Sequence, residues 1–224
     1  MKQTIAIILL NFSILFSGLH AGQLEDVFSD IYNRGEWGVD ESGQGTSGDG
    51  STAENTKLYR FFLQDFLNAK QIKTVVDFGC GDWEFSQLID WTDINYIGID
   101  VVKSVIDQNQ ARFGSDNISF IHADALSLDL PPADLLLCKD VLQHLPFSMI
   151  HEFLVQTPKF KHCLITNCVD AHSLTCNNIN IPEGHYRMLD LTKRPFHVSG
   201  LKLFTYLNPG KDLTAKQVLY IYNP

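Results

Sequence analysis

Three carboxylates stand at the ends of three short apolar runs, and their spacing suggests what the chain could bind. Asp77 follows Val75-Val76 and opens Asp77-Phe78-Gly79-Cys80-Gly81-Asp82-Trp83, Asp100 closes Tyr96-Ile97-Gly98-Ile99, and Asp124 follows His122-Ala123. Gly79 and Gly81 allow a sharp turn in which the backbone comes close to a ligand, and Asp77 beside them can receive a cationic or amino group. Asp100 can accept from both hydroxyls of a ribose, because one carboxylate takes two hydrogen bonds from a diol. Asp124 is suited to an exocyclic amine such as that of adenine. Taken singly, each signal has a plainer reading, since tight turns need glycine anyway and Asp is a favoured helix N-cap. Three acids at three consecutive strand ends are harder to assign to capping.

Further along, Asp140 and His144 fall within Lys139-Asp140-Val141-Leu142-Gln143-His144, close to the mouth of the same crevice. His144 could act as a general base with Asp140 nearby, or be a hydrogen-bonded structural residue of its loop. Asn167, Asp170 and His185 are further polar groups available after the fifth run. The five cysteines, Cys80, Cys138, Cys163, Cys168 and Cys176, are odd in number and contain no CxxC pair, which argues against a zinc site and a disulfide framework; no metal is expected. With 17 basic against 26 acidic residues and a net charge of -9, a sequence-independent grip on nucleic acid is not expected. A nicotinamide oxidoreductase would share the sheet and the ribose acid. Its G-x-G-x-x-G fingerprint fails here at Glu84, and Asp77 would repel a pyrophosphate.

The elements that must position these residues form an alternating series. Strands are predicted at Thr74 to Phe78, Tyr96 to Asp100, Ile118 to His122, Asp134 to Cys138 and His162 to Cys168. Helical spacing appears in Leu58, Phe61, Phe62 and Phe66, whose stripe should face a sheet, in Val102, Val105, Ile106 and Phe113, and in Ile150, Phe153 and Leu154. Strands alternating with helices imply right-handed crossovers and a mostly parallel sheet: a doubly wound, Rossmann-like α/β fold of about seven strands. Leu201 to Leu207 and Gln217 to Tyr222, separated by NPGKDLTA, should close one edge as an antiparallel hairpin. The 224 residues, 45% of them apolar, suffice for one such core.

Ahead of the sheet lie two segments of different character. Residues 1 to 21 carry Lys2, a mainly apolar run from Thr4 to Phe16 and small residues ending at Ala21, which is the outline of a secretory signal peptide. The apolar run, about 13 residues, is short of the roughly 20 that span a bilayer. The expectation is therefore export to a secreted or periplasmic location with no membrane span after cleavage, the alternative being an uncleaved anchor. An amphipathic helix through Leu24, Val27, Phe28 and Ile31 should follow, then the glycine-dense loop from Gly35 to Ser51. The expected division is 1–21 signal peptide, 22–51 helix and glycine-rich lid, and 52–224 catalytic domain.

The motifs VVDFGCGD, YIGID, HADAL and ADLLLCKDVLQHL, in that order and spacing over residues 74 to 146, resemble class I S-adenosylmethionine-dependent methyltransferases. The flanks FSDIYNRGEWGVDESGQGTSGDGS and GHYRMLDLTKRPF resemble a bacterial branch of that family, and the resemblance covers about residues 24 to 222. It implies S-adenosylmethionine as cofactor, with Asp77, Phe78, Gly79, Cys80 and Gly81 around its methionine moiety and Asp100 with Val101 at the ribose. It also implies Asp124 and Ala125 at the adenine, and Cys138 and Lys139 supplying backbone near the sulfonium. Trp37 resembles part of a lid whose indole covers the sulfonium by cation-π attraction, or else it plugs the core. The chain departs from the family where Trp83 replaces a third glycine, which could leave the following helix irregular or the pocket narrower. It departs again where Asn180, two residues after Asn178, stands in place of an expected acid. Methyl transfer to a small-molecule acceptor is the implied activity. An exported, non-catalytic binding protein on the same fold is the alternative, because the cofactor is made in the cytosol. Neither acceptor nor oligomeric state is legible.

Overall fold

The computed structural model describes residues 22–170, 178–207 and 215–224. The signal-peptide segment, Cys176 and most of the NPGKDLTA turn lie outside the described residues. Helix α1 (residues 22–34) is followed by α2 (Lys57–Lys70), β1 (Thr74–Phe78), β2 (Asn95–Asp100), α3 (Lys103–Phe113) and β3 (Ile118–His122). Then come β4 (Leu135–Lys139), α4 (Phe147–Gln156), β5 (His162–Val169), β6 (Leu201–Leu207) and β7 (Ala215–Tyr222). The seven strands form one sheet in the order β3-β2-β1-β4-β5-β7-β6. The first five are parallel; β7 inserts antiparallel between β5 and β6, so the C-terminal pair closes one edge as expected.

Alternation along the strands builds two cores, one on each face. Val76, Phe78, Leu136, Cys138, Cys163 and Ile165 face α1 and α4, whereas Val75, Leu135, Leu137 and Leu164 face α2. The β1–β4 pairing is fixed at its start by the Asp134 carboxylate, which accepts from the amides of Lys73 and Thr74 at 2.8 and 2.9 Å. Among the described residues no helix is long and apolar enough to cross a membrane.

One local expectation changes, and the irregular helix expected after Trp83 is found. The buried face of α2 is Tyr59, Leu63, Phe66 and Leu67, while Leu58 and Phe61 are 56% and 64% exposed. The i, i+4, i+7, i+8 series starting at Tyr59 is the one that meets the sheet; of the stripe read from sequence only Phe66 is buried and Phe62 partly so. The connection from β1 to β2 holds a single 3-10 turn, Ser86–Leu88, in place of an α-helix. Trp83, at φ 60° and 3% exposed, fills the space instead, with its ring 5.5 Å from Tyr96, 4.9 Å from Phe113 and 5.4 Å from Phe120. The replaced glycine is thus a core aromatic.

Trp83→Ala should destabilise the protein by about 3–5 kcal/mol, the usual cost of emptying a large aromatic site. Urea unfolding measures it. A loss below about 1 kcal/mol would mean that the indole merely borders the cavity described next.

Candidate active site

Between β1 and β4 the chain leaves in opposite directions, and at their carboxyl ends lies a cavity of about 300 Å³. Its floor is the turn after β1. Gly79 and Gly81 have φ of 73° and 55°, which L side chains rarely adopt. A Cβ on Gly79 would stand 2.5 Å from a Val141 methyl, and one on Gly81 2.4 Å from Ser47 Oγ. The amides of Gly79 and Cys80 both donate to the Ile99 carbonyl, which ties the turn to β2.

Acids line this side of the cavity. The Asp100 carboxylate accepts from the amides of Gly81 and Val102, both at 3.0 Å, one on each oxygen. Each oxygen therefore keeps acceptor capacity for a hydroxyl. Burial pushes its pKa above the ordinary carboxylate value, against those two hydrogen bonds. Asp77 is 4% exposed and accepts from the Tyr96 hydroxyl at 2.6 Å. Burial raises it to about 6 although that hydrogen bond opposes the change. Asp124 accepts from the Leu126 amide and lines the wall with Ala125, and Phe78, Cys80 and Val101 also border the cavity.

The roof comes from residues 35–51. Ser47 and Asp82 are reciprocally bonded, Ser47 N–H to Asp82 Oδ2 at 2.7 Å and Asp82 N–H to Ser47 Oγ at 2.8 Å. Trp37 is half-buried at the cavity wall and packs on Phe28, Tyr32 and His144, with ring centroids 5.8, 5.6 and 5.0 Å apart. It serves both as packing for α1 and as a surface of the pocket.

The opposite side is basic. Lys139 donates to the Gly50 carbonyl at 2.7 Å and to Asp140 Oδ2 at 2.6 Å, and Lys216 donates to Asp140 Oδ1 at 2.6 Å. Both lysine side chains are only 5% exposed. Burial alone would raise Asp140, but the two ammonium groups outweigh it and hold the carboxyl at about 2. No hydrogen bond joins Asp140 to His144; the carboxylate is paired with the two lysines instead. Burial lowers His144 to about 4. Its Nδ1 is 3.1 Å from the His185 carbonyl, which can only accept, so the proton sits on Nδ1. Gln143 Nε2 lies 3.4 Å from His144 Nε2. The paired Asp140–His144 base read from sequence is replaced by a charge cluster and a neutral, anchored imidazole.

Other assignments shift as well. Cys138 is fully buried in the core and does not border the cavity; strand alternation gives that wall to Lys139. Asn167 is buried with an unpartnered Oδ1, Asp170 is half-buried, and His185 is exposed and acts through its carbonyl. Asn178 bridges backbone at Asp190 and Arg194, and Asn180 Oδ1 accepts from the Phe147 amide at the start of α4. Both asparagines hold the fold where an acid was expected. Ser47, Asp82 and Lys216 were missed, although a lone lysine in the apolar run of β7 is a visible signal.

A family model described as a methyltransferase domain matches residues 69–208. No curated protein matches the chain. Among solved structures, the N-methyltransferase NodS from Bradyrhizobium japonicum, in complex with S-adenosyl-L-homocysteine, is 17% identical with a TM-score of 0.57, over 76% of this chain and 86% of its own. Magnesium protoporphyrin IX methyltransferase from Synechocystis, also with bound S-adenosyl-L-homocysteine, is 12% identical with a TM-score of 0.59, over 93% and 100%. TehB from Haemophilus influenzae is 13% identical with a TM-score of 0.55, over 78% and 67%. At such identities these likenesses speak for the fold.

Asp77 generates a stability prediction. Its folded pKa of about 6 lies above the ordinary 3.8, so the native state holds the proton more tightly, and stability present below about pH 4 is lost as pH rises through 6. Asp77→Asn keeps an acceptor for Tyr96 and removes the ionisation. It should be more stable than the wild type at pH 7.5, by on the order of 1–3 kcal/mol, with the gap closing near pH 4. Parallel urea-unfolding profiles for the two proteins across that range would show that Asp77 carries no such strain.

Proposed function

We propose, for a chain that belongs to the methyltransferase-domain family and so takes S-adenosylmethionine as methyl donor, that the acceptor is a small molecule bound on the β4–β7 side of the cavity. The observation that carries the donor side of this reading is the coupling of the glycine turn to Asp100 through the Gly81 amide; the acceptor is assigned to the space left beside Lys139 and Lys216. That bond sets a hydroxyl-accepting carboxylate beside a backbone cradle from which side chains are excluded.

The residues present fit this cofactor. Gly79 and Gly81 leave room where any Cβ would collide, Asp100 retains an acceptor on each oxygen, and the cationic donor faces the acidic side formed by Asp77, Asp82, Asp100 and Asp124. When bound, S-adenosylmethionine supplies an electrophilic methyl group on a sulfonium sulfur. Asp100 would hold the ribose hydroxyls, Asp124 and the Ala125 amide the adenine, and the turn at Gly79 to Gly81 the methionine portion. Trp37 borders the cavity, where its indole would favour a sulfonium over a neutral thioether. Excluding water and aligning the two reactants supply much of the rate, because the leaving thioether is neutral and needs no acid. A complete cradle of this kind supports an enzyme over a non-catalytic binding protein.

Calorimetric titration should find S-adenosylhomocysteine binding in the low-to-mid micromolar range, about 7–8 kcal/mol. Asp100→Ala should weaken it more than about tenfold by leaving ribose hydroxyls unpaired. Trp37→Ala should weaken the sulfonium cofactor more than the thioether product. Unchanged affinity in the Asp100 variant would remove the ribose assignment, and equal losses for both ligands would leave Trp37 as packing alone.

Export of the mature chain is part of the same reading, supported by the charge, apolar run and small residues of segment 1–21. Mass spectrometry of the native protein should find its N-terminus at or near Gly22. A retained Met1 on a cytosolic protein would refute export.

A further inference from the structure

The cavity is electrically divided. Four carboxylates, Asp77, Asp82, Asp100 and Asp124, line the side formed by β1, β2 and β3, whereas Lys139 and Lys216 line the side formed by β4 and β7. On the basic side Asp140 is one acid between two lysines. Lys139 gives two of its three hydrogens to Gly50 and Asp140. Lys216 donates one hydrogen bond, to Asp140, and so keeps N–H groups for a ligand. Behind this wall lies Arg187, 4% exposed, whose Nη1 donates to the Gln143 carbonyl at 3.2 Å. Its Nε and Nη2 have no hydrogen-bond partner, and it enters no ion pair among the described residues. Arg187 packs its guanidinium 5.5 Å from the Phe147 ring and reaches the cavity wall only through Gln143, which lines the cavity beside His144. Buried positive charge in excess of its acids calls for an anion.

Resting on the methyltransferase reading, we propose that the methyl acceptor is a small carboxylate, paired with Lys216 and methylated on oxygen. A lone pair of the carboxylate oxygen forms the new bond to the methyl carbon. The carbon–sulfur bond breaks, its electron pair stays on sulfur as a neutral thioether, and the product is a methyl ester with no proton to remove. The step asks nothing of a base, which suits a site where both Asp140 oxygens accept from lysines and His144 is a weak base, its Nδ1 bonded to the His185 carbonyl and its pKa lowered by burial to about 4. An amine or hydroxyl acceptor would have a proton to lose, and an ammonium would meet Lys216. The carboxylate avoids both obstacles.

The test begins with S-adenosylhomocysteine titrated into wild type, Lys216→Gln and Lys216→Arg. The saturated proteins are then titrated with acetate, benzoate and phenylacetate, and with the matching amides and amines. At least one carboxylate should bind wild type about tenfold or more tighter than its amide, the amines should not bind, and added salt should weaken the carboxylate. Lys216→Gln should erase the preference and Lys216→Arg keep it, with S-adenosylhomocysteine affinity changed less than about threefold in either. In turnover with methyl-labelled donor and a small-molecule extract of the cells that make the protein, alkali should release the label as volatile methanol. Acids, amides and amines that bind alike or not at all, a preference that survives Lys216→Gln, or label that is alkali-stable would overturn the carboxylate. A wild type that fails to bind S-adenosylhomocysteine would instead overturn the methyltransferase reading on which the carboxylate rests.

Discussion

Strands β1 and β4 pair side by side, yet the connections that follow them run to opposite ends of the sheet, so neither crossover covers the space above their carboxyl ends. Everything about the site follows from that uncovered gap. The backbone of the β1 turn must lie low enough to leave room, which only residues without a Cβ permit at Gly79 and Gly81. The gap needs a roof from elsewhere in the chain, and residues 35–51 provide it from ahead of the sheet. Polar groups at the strand ends lose water beneath that roof, so each must find a partner or accept a shifted pKa.

Those partners are not distributed to minimise cost. Asp77 could have been an apolar residue at the end of a buried strand, and its pKa near 6 records the strain of keeping a carboxylate there. Asp100 is strained in the same sense, though two backbone amides relieve it. On the far side two lysines share one acid with side chains almost out of water. A chain selected for stability alone would have few reasons to bury opposite charges at the two ends of one cavity. A chain that must hold a cationic donor against a second reactant has such a reason, since each end then supplies the counter-charge for one of them.

What the sequence made legible was what depends on neighbours in the chain. The strands could be placed because each is a short, β-rich run with many apolar residues, and Asp77, Asp100 and Asp124 could be found because they lie at or next to strand ends. Contacts between distant residues were not legible. Lys216 meets Asp140 across 76 positions and Ser47 meets Asp82 across 35, and no local pattern announces either. The same blindness produced the Asp140–His144 pair: nearness in sequence suggested a base and its orienter, while the competing lysine comes from β7. Adjacent strand residues point to opposite faces, so the Cys138 side chain belongs to the core where Lys139 belongs to the wall. The phase of α2 failed because Leu58, Phe61 and Phe62 outweigh Tyr59 in apparent hydrophobicity, although only the Tyr59 face reaches the sheet.

The roof segment touches both ends of the divided cavity, which gives it more than a covering role. At the acidic end it is held by the reciprocal Ser47–Asp82 pair, and at the basic end the Gly50 carbonyl accepts from Lys139. The segment from Gly35 to Ser51 is rich in glycine and contributes few apolar side chains, so its place depends heavily on these polar ties. Asp82 belongs to the turn that would cradle the donor, and Lys139 to the cluster beside which the acceptor is proposed to bind. Filling either end alters the charge seen by one tie, and filling both alters the two together. The roof is therefore placed where occupancy by donor and acceptor can be felt jointly, through hydrogen bonds whose strength depends on the charges beneath them.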